Sequence, residues 1–274
     1  MRALKPSIAV AALVICASAS YAAAQESRLT PDQQREFLLK AKIVSARPIG
    51  RGITGALRLT LSDGSLTHDA AFQSIDQRTS AAARQRMEKR AGELNFVDTY
   101  MYNLAAYEIS RLLGVDDMTP VTVERRWQGK TGSLSWWVDD VLMDEAEREK
   151  SGVKPPRPLD FHRQRLKMTV FAELVGDVDR NQGNIIYLKD WRVVMIDFTR
   201  AFRLHRELRS PQALTSIDRG LWERLQGLTL DAVRRTTDRY LTLEESAALM
   251  RRHGVLVQHY TKLISERGEK TVLY

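Results

Sequence analysis

Three oxygen-bearing side chains at fixed spacing constrain this sequence more than any other feature. Asp179 is followed five residues later by Asn184, and Asp197 ends a short apolar segment. Two short strands, 184–188 and 193–196, are predicted around a tight turn, so Asp197 returns to the side of Asn184. Carboxylate and amide oxygens are ligands that Mg²⁺ accepts in proteins. The spacing therefore predicts a divalent-cation site with a further carboxylate beside it.

Calcium is an alternative occupant of this loop. Asp177, Asp179 and Asn181 fall at the first three ligand positions of an EF-hand loop. That loop also needs Gly at its sixth position and Glu at its twelfth, where this chain has Gln182 and Leu188. The calcium interpretation therefore fails. A merely solvated turn, the other alternative, does not account for the carboxylate that ends the second strand.

A second pattern consists of Gly50, Gly52 and Gly55 in the order G-x-G-x-x-G. In a dinucleotide-binding fold a helix begins at such glycines. Here residues 56–61 alternate in polarity like a strand, which puts the glycines between two strands. Glycines in such a loop let backbone N–H groups approach phosphates. A phosphate lid is therefore predicted, with an ordinary flexible turn as the alternative.

The acidic loop resembles the catalytic loop of the atypical protein-kinase-like superfamily, which includes the secreted Golgi casein-kinase-like proteins, the HipA toxins and the phosphoinositide kinases. In these proteins D-R-x-x-x-N is followed by a strand that ends in Ile-Asp-Phe or Ile-Asp-His, and residues 179–184 and 196–198 carry that pattern. Residues 103–114 resemble their αC helix, 119–123 the strand after it, and 132–138 the strand that enters the hinge.

The resemblance covers about residues 42–205 and implies an α+β, two-lobed protein-kinase-like fold. The small β-rich N-lobe is expected at about 42–140 and the larger, mostly helical C-lobe at about 155–274. A leader helix is expected at 25–41, before a kinase-like domain that spans 42–274. Hydrophobic periodicity predicts further helices over 79–94, 97–113, 161–175, 221–240, 244–252 and 255–266. Gly254 is expected to end the helix at 244–252.

The resemblance also implies a reaction, the metal-dependent transfer of a phosphoryl or nucleotidyl group from ATP or another nucleotide. Asp179 then acts as the catalytic base on an acceptor hydroxyl, and Asn184 and Asp197 bind Mg²⁺ or Mn²⁺. The acceptor is an unidentified protein, glycan or small molecule. The glycine loop at 50–55 would cover the nucleotide phosphates.

One departure from the family pattern concerns an ion pair. The lysine of the third strand falls on Gln73, and the acid of the αC helix falls on Asn103, so both positions are uncharged. Gln73 is expected to hydrogen-bond a phosphate without neutralising it. This loss favours a second hypothesis, a secreted pseudokinase that acts as a binding or regulatory module. Other sources of the missing charges are, for the cation, Arg51 or Arg58 and, for the acid, Glu93, Asp98 or Glu108.

Residues 1–24 have the features of a signal peptide. Arg2 and Lys5 precede an apolar run at 8–17, and Ala22-Ala23-Ala24 satisfies the cleavage rule for small residues. The run is shorter than the roughly 20 residues that span a bilayer. The chain is therefore expected to be exported, to the periplasm or beyond, with no membrane span.

Cys16 is the only cysteine, so cleavage would leave a chain without disulfides or thiolate metal sites. A lipid anchor on Cys16 is the alternative, and Ile15 is too bulky for the usual anchoring motif. The net charge of +8 falls by two, to +6, without the leader. Because the basic residues alternate with acids, as at 84–90, they indicate a solvated helix face, and no nucleic-acid partner is expected. A basic scaffold for acidic polymers is a further alternative.

Overall fold

The computed structural model describes residues 29–50, 55–79 and 97–274. Several expectations lie outside these described residues: the signal peptide at 1–24, residues 25–28 of the leader, Gly52 and almost all of the helix predicted over 79–94. The same holds for Arg51 and Glu93, two of the alternative sources of charge.

The amino-terminal part is built on a five-stranded antiparallel sheet with strand order β1-β2-β3-β5-β4. Leu59 and Leu61 alternate with more exposed residues on one strand, as Ala70 and Phe72 do on the next, so every second side chain enters one core. Gln128 and Gly129 both have positive φ, 47° and 77°, and close the last hairpin as a tight two-residue turn. The strands are β1 (Lys42–Pro48), β2 (Leu57–Ser62), β3 (Thr67–Gln73), β4 (Thr122–Trp127) and β5 (Lys130–Trp136).

A helix, α1 (Pro31–Lys40), packs on this sheet. Thr30 caps it, with reciprocal side-chain and backbone hydrogen bonds to Gln33. Its buried residues Phe37 and Leu38 belong to the core of the sheet. The guanidinium of Arg125 on β4 donates to the carbonyl oxygens of Leu38 and Ala41, 2.5 and 2.6 Å away, which satisfies acceptors left open at the helix end.

The next helix, α2 (Met101–Leu113), begins four residues later than the predicted 97–113. The chain before it is extended, since Thr99 forms a bridge with Asp76 and its N–H donates to the carbonyl of Thr199. Gly114 ends the helix with φ of 65°, as a glycine cap does.

The carboxy-terminal part is mainly helical and includes a three-stranded sheet of order β6-β7-β8. The sequence predicted β7 and β8 but not β6, which lies between the two parts and pairs with β7. The predicted helical stretch 221–240 is two helices. The elements are β6 (Val141–Asp144), α3 (Glu145–Ser151), α4 (Pro158–Val175), β7 (Ile185–Leu188), β8 (Val193–Met195), α5 (Arg219–Gln226), α6 (Leu230–Thr237), α7 (Leu243–Arg267) and α8 (Glu269–Val272).

Helix α7 corrects one expectation. Gly254 was predicted to end a helix, and instead it lies inside a continuous helix of 25 residues. A glycine inside a helix costs only about 1 kcal/mol relative to alanine. The buried residues Leu249, Leu256 and Tyr260 lie on both sides of it, and their burial contributes more than that. The α+β prediction, with a β-rich amino-terminal part and a helical carboxy-terminal part, is confirmed.

Gly132 on β5 gives a test of how tightly the sheet is packed. A methyl group there would overlap the carbonyl oxygen of Gln73 and lie 2.9 Å from two ring carbons of Phe72. We expect Gly132→Ala to lower the free energy of unfolding by about 1–3 kcal/mol, because β3 must move to admit the new atom. Denaturant unfolding of the purified protein measures this change.

Gly254→Ala is the matched control, since it adds the same methyl group where no atom lies within 4 Å. Alanine is the better helix former, so this substitution should raise the free energy of unfolding by about 0.5–1 kcal/mol. Equal effects of the two substitutions would contradict the packing described for β3 and β5.

Candidate active site

A cavity of about 670 Å³ is lined by residues of both sheets, of the segment that precedes β7 and of the segment that follows β8. One part of its wall is apolar and includes Ile49, Ala56, Ala71, Val138, Ile186 and Ile196. Another part is polar and includes Gln73, Asn103, Asp179, Asn184, Asp197 and Arg200. The cavity thus brings together all of the predicted polar site residues, which come from separate segments of the chain.

The loop after α4 is held by a buried arginine. The guanidinium of Arg180 donates to the carboxylate of Asp177, with Nε 2.8 Å from Oδ2. Its Nη1 also donates to the carbonyl oxygens of Asn184 and Ile196, at 2.8 and 2.6 Å. The guanidinium carbon lies 4.3 Å from the ring centre of Phe198. Arg180 therefore connects the loop to the ends of both strands that follow it.

Asp179 lies at the cavity wall with its side chain 36% exposed. Its backbone N–H donates to Oδ1 of Asp177 at 3.1 Å, which fixes the turn of the loop. Its own Oδ2 accepts from Nη1 of Arg200 at 3.2 Å. The carboxylate is therefore both accessible from the cavity and held in place, as a group that orients a substrate hydroxyl must be.

Asn184 and Asp197 are brought together by the hairpin of β7 and β8, where the N–H of Ile196 donates to the carbonyl of Asn184 at 3.1 Å. The Asn184 amide nitrogen donates to the carbonyl of Asp179, which leaves the amide oxygen for another partner. Oδ1 of Asp197 accepts from the Thr199 hydroxyl at 2.9 Å, and no described residue donates to Oδ2.

These two oxygen donors fit a hard cation such as Mg²⁺, which usually completes its shell with water and substrate phosphate oxygens. Within the described ranges, no group of three His, Cys, Asp or Glu residues is arranged to hold a metal ion alone. A cation at Asn184 and Asp197 would therefore depend on oxygens supplied by a ligand. Asp197 also has a φ of 55°, a strained backbone conformation for a residue other than glycine.

Gln73 and Asn103 are in direct contact. Asn103 Nδ2 lies 2.5 Å from Oε1 of Gln73 and 3.0 Å from Oγ of Ser133. Its Oδ1 accepts from the backbone N–H of Phe198 at 2.7 Å. An amide pair thus joins β3, α2 and the segment after Asp197.

The other charged groups divide into those near the cavity and those away from it. Arg200 lines the cavity and also donates from Nε to Oδ2 of the buried Asp98 at 3.0 Å. Burial lowers the pKa of Arg200, but the hydrogen bond and charge of Asp98, with the other nearby carboxylates, raise it above its usual value. Arg58 instead pairs with Asp69 and stacks on Trp137. Glu108 pairs with surface arginines.

Of the predicted glycine loop between β1 and β2, the structure describes both ends. Gly50 and Gly55 are exposed, and Gly55 has a φ of 65°. The N–H of Ile49 donates to the carbonyl of Ala56 at 3.0 Å, which closes the base of the loop, and both residues line the cavity.

No protein-family model matches the sequence, and no curated protein matches it significantly. Among solved structures, hydra Fam20 with sugar matches with a TM-score of 0.64 and 15% identity, over 88% of this chain and 91% of that one. The fold is that of an atypical protein kinase. The Helicobacter pylori proinflammatory kinase CtkA also matches, with a TM-score of 0.48 and 12% identity, over 86% of this chain and 97% of that one.

The predicted resemblance to the atypical protein-kinase-like superfamily is confirmed for the fold. None of the helices in the described ranges combines the length and the hydrophobicity that crossing a bilayer requires. Two features of the kinase-like site were missed in the sequence. One is that Arg180 acts as a clamp, which joins Asp177 to the carbonyls of Asn184 and Ile196. The D-R pair of the motif is the sequence signal that could have indicated it. The other is the pairing of Arg200 with the distant Asp98.

Arg180→Gln tests the clamp. The Asp177 side chain is fully buried, and an acid left buried without its partner is strongly unfavourable. We expect a loss of about 3–5 kcal/mol in the free energy of unfolding. Chemical denaturation monitored by tryptophan fluorescence measures it.

Arg192→Gln is the matched control. Arg192 pairs with Asp190 on a surface turn, with side chains 44% and 53% exposed, and exposed pairs contribute at most about 1 kcal/mol. If Arg180→Gln costs no more than this control, the buried clamp does not hold the loop.

Proposed function

We propose that this protein is an exported, metal-dependent phosphotransferase that transfers a phosphoryl group from a nucleotide such as ATP to a hydroxyl of a protein, glycan or small molecule. The observation that carries the proposal is that Asp179, Asn184, Asp197 and Gln73 line one and the same cavity. In the kinase-like fold these positions surround the transferred group.

The apolar part of the cavity suits a nucleotide base. Ala71 lies on β3, and Ile49 and Ala56 flank the loop between β1 and β2. Ile186 lies on β7, and Ile196 directly follows β8. A flat aromatic base between two such walls buries apolar surface on both of its faces. With the base there, the phosphates extend toward the polar part, under the loop that contains Gly50, Gly52 and Gly55.

Asp179 acts on the acceptor in this proposal. Its carboxylate accepts the hydrogen bond of the acceptor hydroxyl and takes the proton as the oxygen attacks the terminal phosphorus. The new phosphorus–oxygen bond forms as the bond to the nucleoside diphosphate breaks, and the diphosphate leaves. Since Asp179 is held by Arg200 and by the loop backbone, it requires little rearrangement before the reaction.

Asn184 and Asp197 would hold Mg²⁺ or Mn²⁺ through the amide oxygen and a carboxylate oxygen. When bound, such a cation neutralises charge on the donor phosphates. The backbone at Asp197 directs its carboxylate through the strained φ of 55° and the hydrogen bond from Thr199. Gln73 is proposed to donate its amide N–H to a phosphate oxygen, because its own oxygen is already bonded to Asn103.

We also propose that residues 1–24 direct export and are then removed, and that 42–274 form the kinase-like domain with its lobes at about 42–140 and 155–274. The leader residues from 25 onward lead into α1, which packs on the N-lobe sheet. The periplasm or the extracellular space is then the site of action.

Asp179→Asn is the decisive variant, because it keeps the size of the side chain and removes the proton acceptor. We expect phosphoryl transfer to fall by about 10²–10⁴-fold, the usual contribution of general base catalysis. The purified mature chain is incubated with γ-labelled ATP, Mg²⁺ and Mn²⁺, and label is counted in the protein itself and in cell-envelope extracts.

Asp190→Asn makes the same chemical change on an exposed turn and should leave transfer unchanged. Equal transfer by Asp179→Asn and wild type would remove the catalytic assignment. The neutral Gln73–Asn103 pair favours the second candidate, a pseudokinase that binds a nucleotide without transfer. That candidate predicts a rise in melting temperature with ATP and Mn²⁺ and no incorporation of label by any variant.

A further inference from the structure

The charge of the cavity wall is unbalanced for a ligand that carries phosphates. Its described lining residues include one cation, Arg200, and four acids: Asp144, Glu147, Asp179 and Asp197. A nucleoside triphosphate adds further negative charge, and divalent cations neutralise only part of it. A fixed positive group close to the phosphates would reduce the remaining repulsion.

The family's usual source of that charge is replaced by an amide. Oε1 of Gln73 accepts from Asn103, so the Gln73 amide can offer a hydrogen bond but no net charge. Arg58 is the described alternative from the sequence, and its guanidinium is engaged by Asp69 and Trp137. Neither residue neutralises a phosphate in this arrangement.

Arg200 is fixed beside the group proposed to act as base. Its Nε lies 3.0 Å from Oδ2 of Asp98, which is 1% exposed, and its Nη1 lies 3.2 Å from Oδ2 of Asp179. Asp98 therefore anchors the guanidinium on the protein side. Because Asp179 would hold the acceptor hydroxyl against the terminal phosphorus, a guanidinium in contact with Asp179 lies next to the transferred group.

We infer that Arg200 is a further catalytic residue, which supplies the donor phosphates with the fixed positive charge that Gln73 lacks. This inference rests on the proposed function. The planar guanidinium has five N–H donors, so it can contact Asp98, Asp179 and a phosphate oxygen in one orientation. The alternative is that Arg200 only clamps Asp98 to Asp179 and touches no ligand.

The test compares ATP with adenosine, which has the same base and ribose but no phosphates. Arg200→Ala alone would leave Asp98 buried and unpaired, so it is made in an Asp98→Asn background and compared with Asp98→Asn. We expect loss of Arg200 to remove most of the extra melting-temperature rise that ATP with Mn²⁺ gives over adenosine, and to lower label transfer at least tenfold. The adenosine shift itself should remain.

A second arm restores the charge at the family's usual place. Gln73→Lys with Asn103→Glu, added to the chain that lacks Arg200, should recover at least half of the ATP-specific shift. If Arg200 only held Asp179 in place, a lysine at position 73 would not restore the ATP-specific shift.

Two results overturn the inference. The first is an ATP-specific shift that is unchanged without Arg200, and the second is a folded chain that carries Gln73→Lys and Asn103→Glu and recovers none of the shift. If the wild-type chain neither transfers label nor is stabilised by ATP, the proposed function itself fails, and the inference falls with it.

Discussion

The buried guanidinium of Arg180 is the interaction on which the candidate site depends. It pairs with Asp177 and donates to the carbonyl oxygens of Asn184 and Ile196. A buried carbonyl without a hydrogen-bond partner is costly, so moving either carbonyl away from Arg180 is unfavourable. One side chain therefore holds two chain segments in place. The first segment carries Asn184, and the second leads directly into Asp197. The relative position of the two proposed cation ligands thus follows from a group that need not touch a ligand itself.

Gln73 and Asn103 form an amide pair where the resemblance implied an ion pair, so β3 has no cation there while its connection to α2 is kept. Gln73 and Asn103 tie β3 to α2, and Asn103 ties α2 to Phe198. A lysine and a glutamate would make the same first connection and would add a cation beside the phosphates. A hydrogen-bonded amide pair is less costly to bury than separated charges. Arg200 is the cation among the described residues that line the cavity, and in the proposed function it supplies the charge that a lysine on β3 would supply.

The sequence predicted the elements whose pattern is local. Alternation predicted β2 and β3, the metal-loop spacing predicted β7 and β8, and the resemblance predicted the kinase-like fold. The partners of charged residues could not be predicted, because they depend on contacts between distant segments: Arg200 meets Asp98 across 102 positions. Gly254 was misjudged for a related reason, since the core that holds α7 together is contributed largely by other helices. Strand β6 has four residues, too few to show a recognisable alternation in the sequence. It forms through its pairing with β7.

Helix α2 is held in place mainly by its buried side chains and only to a small extent by the amide pair. Tyr107 belongs to the core of the sheet, whereas Ile109 and Leu113 belong to the core of the helical part. Withdrawing α2 would expose side chains that each contribute about 1.5–3 kcal/mol when buried, against about 0.5–1.5 kcal/mol for one hydrogen bond. The helix is therefore held by its cores rather than by the contact between Gln73 and Asn103. Substituting Gln73 with Lys and Asn103 with Glu should therefore change where charges lie in the cavity more than it changes the shape of the cavity. For this reason the effect of the restored ion pair can be compared directly with that of Arg200.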